Sequence, residues 1–298
     1  MIQIERGVHL NMDAIVMNNR SIEIKILPKL GFKMASILYK PKAMEFLFQP
    51  TKGRYDIPEY GDAFQDYDTS GLDEMIPTIE RCEYPVGKFK GDILPDHGDV
   101  WSLPWDVQIL DTKVVGSVRL KSLPLEFTKT LGFQDDNTIK MDYSVKNLSA
   151  SEIHYVWTLH GLNVFDEDTE FIFQDDMKNV INVHSNEDLD RLDLRYLKNY
   201  RNNRSYKYYF WGKFKKGEVG LDYKNERLKY MIRYDVDKQP YLGVWVTKGG
   251  FKGEYNCALE PSNGFYDSVS LAYENNMIPL LEPYGEHKWS VYIDIQEY

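Results

Sequence analysis

Two of the six histidines stand in contexts suited to acid–base chemistry. His97 lies in LPDHGDVWSLPWDV (94–107), between Asp96 and Asp99, which either orient its ring through the second nitrogen or face solvent. His160 ends the apolar segment IHYVWTLHGL, and the loop that begins at a strand end is a common place for a site. Periodicity alone favours a core histidine at His160, with one ring nitrogen satisfied.

A third candidate is Glu260, in EYNCALEPSNGFYDS, which follows the apolar run 257–259. Burial at the end of a strand raises the pKa of a carboxyl and suits it to act as a general base. The alternative is an edge carboxylate solvated in a turn. Leu-Glu-Pro recurs at Glu282, in LLEPYGEHKW (280–289), and the residues alone do not separate the two glutamates.

Asp73 and Glu74, in SGLDEMIPT, are adjacent carboxylates of the kind that glycosidases pair. On a strand they point to opposite faces, so only one of them enters a given site. The chain has no GxSxG, GxxxxGK[ST] or HExxH motif, and no GxGxxG motif after a strand. Its two cysteines, Cys82 and Cys257, form neither a disulfide framework nor a CxxC metal site.

Composition narrows the class of protein. The chain has 298 residues, of which 43% are hydrophobic, and a net charge of −10, which argues against a broad nucleic-acid surface. No apolar run reaches the roughly 18 residues of a membrane span, and the first residues lack a signal-peptide core, so we expect a cytoplasmic protein. The 22 Tyr, 14 Phe and 6 Trp fit a β-rich core or a sugar-binding cleft, and composition favours the core.

Alternating apolar residues dominate the chain and predict more than ten strands. The predicted strands are 21–28, 32–39, 44–49, 105–110, 115–121, 125–130, 138–147, 153–159, 171–173, 206–214, 227–235, 241–247 and 288–295. One helix is predicted at 186–200, with Asn186 as its cap. The simplest architecture is a single domain over 1–298, an all-β antiparallel sandwich with few short helices.

Residues 51–104 interrupt the strand pattern. They are dense in Gly, Pro, Asp and aromatic residues, and a stretch this long without periodicity is usually functional or disordered. Its aromatic and apolar content argues against disorder. We therefore predict an ordered loop excursion over one sheet, which ends in the segment that carries His97.

Together, several motifs resemble the aldose 1-epimerases, also called galactose mutarotases. GLDEMIPTIE (71–80), LPDHGDVWSLPWDV (94–107) and YVWTLHGLNVF (155–165) follow in that family's order, with 63 residues from His97 to His160. CALEPSNGFYD (257–267) is similar to the family's glutamate motif, and LEPYGEHKWSVYIDI (281–295) to its closing strand. The resemblance implies a large antiparallel β-supersandwich that interconverts the α and β anomers of free aldoses without a metal or cofactor.

The resemblance also implies roles for individual residues. Glu260 would take the proton from the C1 hydroxyl, and His160 would give a proton to the ring oxygen. His97 would hold the sugar near that oxygen. Glu282 would belong to the closing turn. The GLDEMIPTIE segment resembles a divergent branch of the family, in which Asp73 or Glu74 would bind sugar.

Further residues are candidates for binding the sugar. Arg54, in KGRYDIP, is the only arginine found for the family's early sugar-binding Asn-x-x-Arg pair, and Trp101 and Trp157 are wall or core residues. The family's hydroxyl-binding aspartate is left open among several positions, which include Asp166, Asp168, Asp175 and Asp176. The expected partner is a small sugar, bound by a monomer or homodimer. The alternatives are a carbohydrate-binding protein of this fold without turnover, and a hexose-6-phosphate 1-epimerase, which would need an arginine clamp.

Overall fold

The computed structural model describes residues 1–184, 189–212 and 214–298. In chain order its strands are β1 (Gln3–His9), β2 (Met12–Asn18), β3 (Ile22–Leu27), β4 (Lys33–Tyr39), β5 (Met44–Glu45), β6 (Leu72–Met75), β7 (Cys82–Glu83), β8 (Ile93–Leu94), β9 (Asp106–Ile109), β10 (Lys113–Arg119), β11 (Leu125–Phe133), β12 (Thr138–Asn147), β13 (Ile153–His154), β14 (Thr158–Gly161), β15 (Glu170–Ile172), β16 (Val180–His184), β17 (Arg204–Phe210), β18 (Gly217–Tyr223), β19 (Leu228–Tyr234), β20 (Tyr241–Lys248), β21 (Tyr255–Ser262), β22 (Leu280–Leu281) and β23 (Glu286–Glu297). The α-helix α1 spans Val269–Glu274.

Two large antiparallel sheets carry most of these strands. The first has the order β1-β2-β3-β4-β6-β14-β21-β20-β17-β16, with β5 on β4, and the second has the order β15-β18-β19-β23-β12-β11-β10-β9. One hydrophobic cluster draws buried side chains from both sheets. The all-β antiparallel prediction is confirmed, because alternating apolar residues on two sheets need a shared core to cover them.

Each predicted strand segment overlaps a strand of the structure. No predicted segment covers β1, β2, β6, β7, β8, β16, β18, β21 or β22. Strand β1 lies at the sheet edge with most of its side chains partly or fully exposed, so its sequence carries little alternation.

The helix predicted at 186–200 is wrong for the part of it that the structure describes. Residues Leu189–Arg191 and Leu197–Asn199 form short 3-10 turns instead, and the predicted cap Asn186 lies outside the described residues. Tertiary packing explains the difference, since Leu189 and Leu197 both enter the main core from these turns. Within the described ranges, no helix is long and apolar enough to cross a membrane.

The excursion at 51–104 is ordered, and part of it forms a strand of the first sheet. Its residues Leu72–Met75 form β6, which pairs with β4 on one side and β14 on the other. All four residues of β6 are buried, so the strand shows no apolar–polar alternation and escapes a pattern search. Its two charged residues are buried because each meets a lysine on its own face of the sheet.

The face of β6 toward the core contains a charged pair between the two sheets. Lys129 on β11 lies 2.6 Å from Glu74 Oε1, and both side chains are almost fully buried. The Tyr143 hydroxyl and Trp157 Nε1 each donate to the same carboxylate, at 2.9 Å. Burial raises the pKa of Glu74, and the Lys129 charge opposes that rise. This network fixes β6 against the second sheet.

We expect Lys129→Met to lower the free energy of unfolding by about 3–5 kcal/mol, because it leaves the Glu74 carboxylate buried without its cation. Urea unfolding measures the change. The matched control is Lys288→Met, which removes an exposed lysine beside Glu286 and should change stability by less than about 0.5 kcal/mol. Equal stabilities of the two variants would contradict the role of the buried pair.

Candidate functional site

A transverse row of residues crosses the other face of the first sheet. Register pairs Asp73 with His160 and Glu260 with Gly243, and it pairs Gly243 with Tyr209 on the next strand. Residues paired across an antiparallel ladder point to the same face. The transverse row is completed by Lys33 on β4, whose Nζ lies 2.8 Å from Asp73 Oδ2.

The two candidate proton-transfer residues are direct neighbours in this row. Thr158 pairs with Ser262, and the bridge between Asn163 and Cys257 keeps the same register. Continued between these two pairs, that register places His160 opposite Glu260 on the adjacent strands β14 and β21. A carboxylate and an imidazole therefore share one face of the sheet.

Glu260 is fully buried on β21 and contacts a cation. The Lys207 ammonium, from β17, contacts its Oε2 atom across the intervening strand β20. Gly243 makes room for this contact, because a Cβ there would lie 3.1 Å from both Glu260 Oε2 and the Tyr209 ring. Burial raises the pKa of Glu260, and the Lys207 charge acts in the opposite direction.

Three buried polar atoms of the transverse row have no hydrogen-bond partner among the described residues. They are Asp73 Oδ1, His160 Nδ1 and Glu260 Oε1, on the adjacent strands β6, β14 and β21. An unpaired buried polar atom is costly, so three neighbouring ones indicate a place where a polar ligand supplies the missing bonds.

His160 is electrostatically tuned by its surroundings. Burial holds the pKa of His160 well below its ordinary value, and the nearby His97, Lys207 and Lys33 side chains act in the same direction. The ring is therefore neutral near pH 7. It meets the His97 ring edge to face, with centroids 5.8 Å apart.

His97 reaches the row from the loop that follows β8. The His97 backbone N–H donates to the Ile79 carbonyl, and the Asp99 backbone N–H donates to the Ile76 carbonyl at 2.8 Å. The residue between them is Gly98, where φ is +73° and a Cβ would lie 2.1 Å from the Ile76 oxygen, so only glycine fits. The Asp96 carboxylate contacts His97 Nδ1 at 3.0 Å and orients the ring.

The two acidic neighbours of His97 behave differently. Asp99 turns away and accepts from the Ser122 N–H at 2.8 Å, so it orients a backbone turn. For Asp96, burial favours a higher pKa, but the His97 contact and backbone N–H groups outweigh it and lower the pKa. One such N–H belongs to Phe64.

Phe64 covers both histidines. Its ring stacks on His97 with centroids 4.2 Å apart and planes 4° from parallel, and it meets His160 edge to face at 5.5 Å. Trp101 meets the Phe64 ring edge to face, with centroids 5.1 Å apart, and donates from Nε1 to the Asp96 carbonyl. Through these two contacts Trp101 helps to hold the Phe64 ring and the loop around His97 in place.

Asp73 and Glu74 point to opposite faces, as strand geometry predicts. On the site face, Lys33 binds Asp73 and Asp68 at 2.8 and 3.0 Å. Burial raises the pKa of Asp73 to about 6, although Lys33 opposes the rise. Burial alone would lower the pKa of Lys33, but the two aspartates outweigh it and raise the pKa.

The remaining sequence candidates lie apart from the transverse row. Glu74 and Trp157 hydrogen-bond to each other between the sheets, on the opposite face from His160. Arg54 is largely exposed beside Asp56, at 3.4 Å, in a small polar cavity that also includes Asp68. An open groove of about 580 Å³ beside β9 and β10 contains none of the row residues.

Sequence reasoning missed four residues of the site: Lys33, Lys207, Tyr209 and Gly243. The lysines carried a usable signal, since Lys33 and Lys207 interrupt the apolar strand segments GFKMASIL and YKYYF. A buried lysine requires a partner, which predicts a nearby carboxylate. Gly243 had no such signal. Only the register across β20 shows that this glycine lies beside Glu260, where a side chain would leave less room. Among the described residues, no group of three or more His, Cys, Asp or Glu is arranged to hold a metal ion.

Comparison with known proteins identifies the fold. No protein-family model matches the chain, and no curated protein matches it by sequence. A galactose mutarotase-like protein from Clostridium acetobutylicum superposes with a TM-score of 0.72 at 13% identity, over 100% of this chain and 99% of that one. The chain has the galactose mutarotase-like fold.

Two further solved structures support this conclusion. A galactose mutarotase-like protein from Lactobacillus casei gives a TM-score of 0.68 at 13% identity, over 95% of this chain and 100% of that one. A galactose 1-epimerase from Lactobacillus acidophilus gives 0.66 at 12% identity, over 100% of this chain and 99% of that one. The fold implied by the sequence motifs is therefore confirmed, in a chain far diverged from these mutarotase-like neighbours.

Removing the covering ring tests the environment of the histidine pair. In Phe64→Ala, water reaches His160, so its pKa should rise toward the ordinary value by about half a unit or more. Titration of the histidine ring signals by NMR measures the change. Phe89→Ala, which removes a ring packed on Tyr84, is the control and should leave His160 unmoved. An unchanged His160 pKa in Phe64→Ala would show that Phe64 does not keep water away.

Proposed function

We propose that this protein is an aldose 1-epimerase-like isomerase that interconverts the α and β anomers of a sugar. The observation that carries the proposal is the direct juxtaposition of Glu260 and His160 on adjacent strands. Each presents a buried polar atom, Oε1 and Nδ1 respectively, without a partner among the described residues. Anomer exchange needs one proton removed from the C1 hydroxyl and another delivered to the ring oxygen, two atoms bonded to the same carbon, and a neighbouring carboxylate and imidazole can do this.

In the proposed reaction, Glu260 takes the proton of the C1 hydroxyl. The electron pair of that O–H bond forms the C1 carbonyl, the bond from C1 to the ring oxygen breaks, and the ring oxygen takes a proton from His160. Rotation about C1–C2 and the reverse transfers close the ring on either face. Each well-placed acid or base contributes roughly 10²–10⁴-fold to the rate.

Substrate binding is assigned to the neighbours of this pair. His97, held by Asp96, would contact the sugar near its ring oxygen. Asp73 would accept a sugar hydroxyl at Oδ1, the atom that lacks a partner among the described residues, while Lys33 holds Oδ2. None of the residues assigned here to the sugar is an arginine, the side chain that clamps a phosphate dianion, and this favours a neutral sugar over a phosphorylated one.

Activity on fresh α-glucose and α-galactose tests the proposal by optical rotation or anomeric NMR signals. Wild type should accelerate mutarotation of at least one aldose in a panel, and Glu260→Gln should lose at least about 100-fold of the enzymatic rate. The matched control is Glu282→Gln, which alters the exposed second Leu-Glu-Pro glutamate and should retain wild-type activity.

Other outcomes separate the alternatives. If wild type binds a sugar without accelerating its mutarotation, the protein is a carbohydrate-binding protein of this fold. Selective acceleration with glucose 6-phosphate would instead favour the hexose-6-phosphate epimerase. A Glu260→Gln variant as fast as wild type would refute the assignment of the base.

The pH dependence of kcat/KM should be bell-shaped with an acidic maximum. Activity requires ionised Glu260, whose pKa is raised, so it should fall as the pH drops through that value. It also requires protonated His160, whose pKa is lowered, so it should fall on the alkaline side already below about 6.5. Rates of anomer exchange over a range of pH give the profile, and a maximum at pH 8 would contradict this pair.

A further inference from the structure

The transverse row contains a charge contact that proton transfer by Glu260 and His160 does not itself require. Lys207, on β17, extends across β20 and contacts Glu260 Oε2 on β21, where it occupies one of the two carboxylate oxygens. The other oxygen, Oε1, is buried and has no hydrogen-bond partner among the described residues. The two oxygens of one carboxylate are thus placed in different environments.

We propose that Lys207 is a positioning residue for the reaction: it holds Glu260 Oε2 and leaves Oε1 as the oxygen that accepts the substrate proton. This inference rests on the proposed function. It deepens that function by assigning the two oxygens of the base to separate tasks.

Packing makes the contact specific. The Lys207 side chain is 11% exposed and the Glu260 side chain is 0% exposed, so water competes little for either charge. Gly243 lies between them on β20, and any side chain there would meet Oε2. Tyr209, two residues from Lys207 on the same face, is held by its hydroxyl bond to Asp267 at 2.7 Å and lines the other side of the contact.

The charge of Lys207 also acts on the protonation of the pair. A fully buried carboxylate without a cation would favour its neutral form, which cannot act as a base. Besides each other, Glu260 faces Lys207, Asp267, His97 and the Tyr209 hydroxyl, and His160 faces His97, Lys207 and Lys33. Lys207 favours ionised Glu260 and neutral His160, so its loss should raise both pKa values.

The test compares Lys207→Met with Lys207→Arg in the mutarotation assay over a range of pH. In Lys207→Met, the acid limb of kcat/KM should move to higher pH by about one unit or more, so activity on the acid side should fall at least about 10-fold. The alkaline limb should move the same way. Lys207→Arg keeps the charge and should stay within about half a unit of wild type.

The position of the limbs distinguishes positioning from a structural role. A merely structural lysine would lower the whole profile of Lys207→Met without moving it along the pH axis, and that result would overturn the proposal. If the limbs of the Lys207→Arg profile move as far as those of Lys207→Met, the proposal is also overturned, because the arginine keeps the positive charge that should hold the pKa of Glu260 near its wild-type value.

A measurement without a Lys207 substitution covers the case in which Lys207→Met fails to fold. The side-chain ammonium signal of Lys207, observed by ¹⁵N NMR, should shift as Glu260 titrates in wild type and should lose that titration in Glu260→Gln. A Lys207 signal that is indifferent to Glu260 would overturn the pairing. If wild type accelerates no aldose, the proposed function fails, while this NMR arm still reports on the contact.

Discussion

The antiparallel register of the first sheet is the constraint on which the site depends. Because side chains alternate between faces with a period of two, one register aligns Asp73, His160 and Glu260 on a single face. A slip of one residue on β14 would turn His160 into the core and bring Leu159 to the site. The interdigitated core between the sheets makes that slip costly, so packing on one face fixes the chemistry on the other.

Charge burial follows from the same arrangement. Each carboxylate on the central strands has a lysine on its own face: Glu74 meets Lys129 between the sheets, and Glu260 meets Lys207 at the site. Both pairs remove ionised groups from water, but they serve different ends. The Glu74 carboxylate is surrounded by donors, whereas Glu260 keeps one oxygen without a partner among the described residues. An incompletely satisfied carboxylate is less stable and more reactive.

The long excursion at 51–104 covers the transverse row, which the sheet alone would leave open to water. A sheet face is nearly flat, and the row residues alone would be open to water. The excursion returns over the row with Phe64 and His97, stacked at 4.2 Å, and Trp101 behind them. This cover lowers the pKa of His160 by keeping it from solvent and sets the low-dielectric surroundings in which acid and base groups act strongly.

The sequence by itself determined the fold class, since alternating apolar residues specify strands and their number demands two sheets. It also offered His97, His160 and Glu260 as chemical candidates, since His160 and Glu260 end apolar runs, and the motif resemblance favoured Glu260 over Glu282. Only the tertiary structure decided the partners: that Lys207 meets Glu260 across Gly243, and that Trp157 faces the core. These contacts join strands distant in the chain, and strand order and register are set by the packing of the whole core rather than by any local pattern.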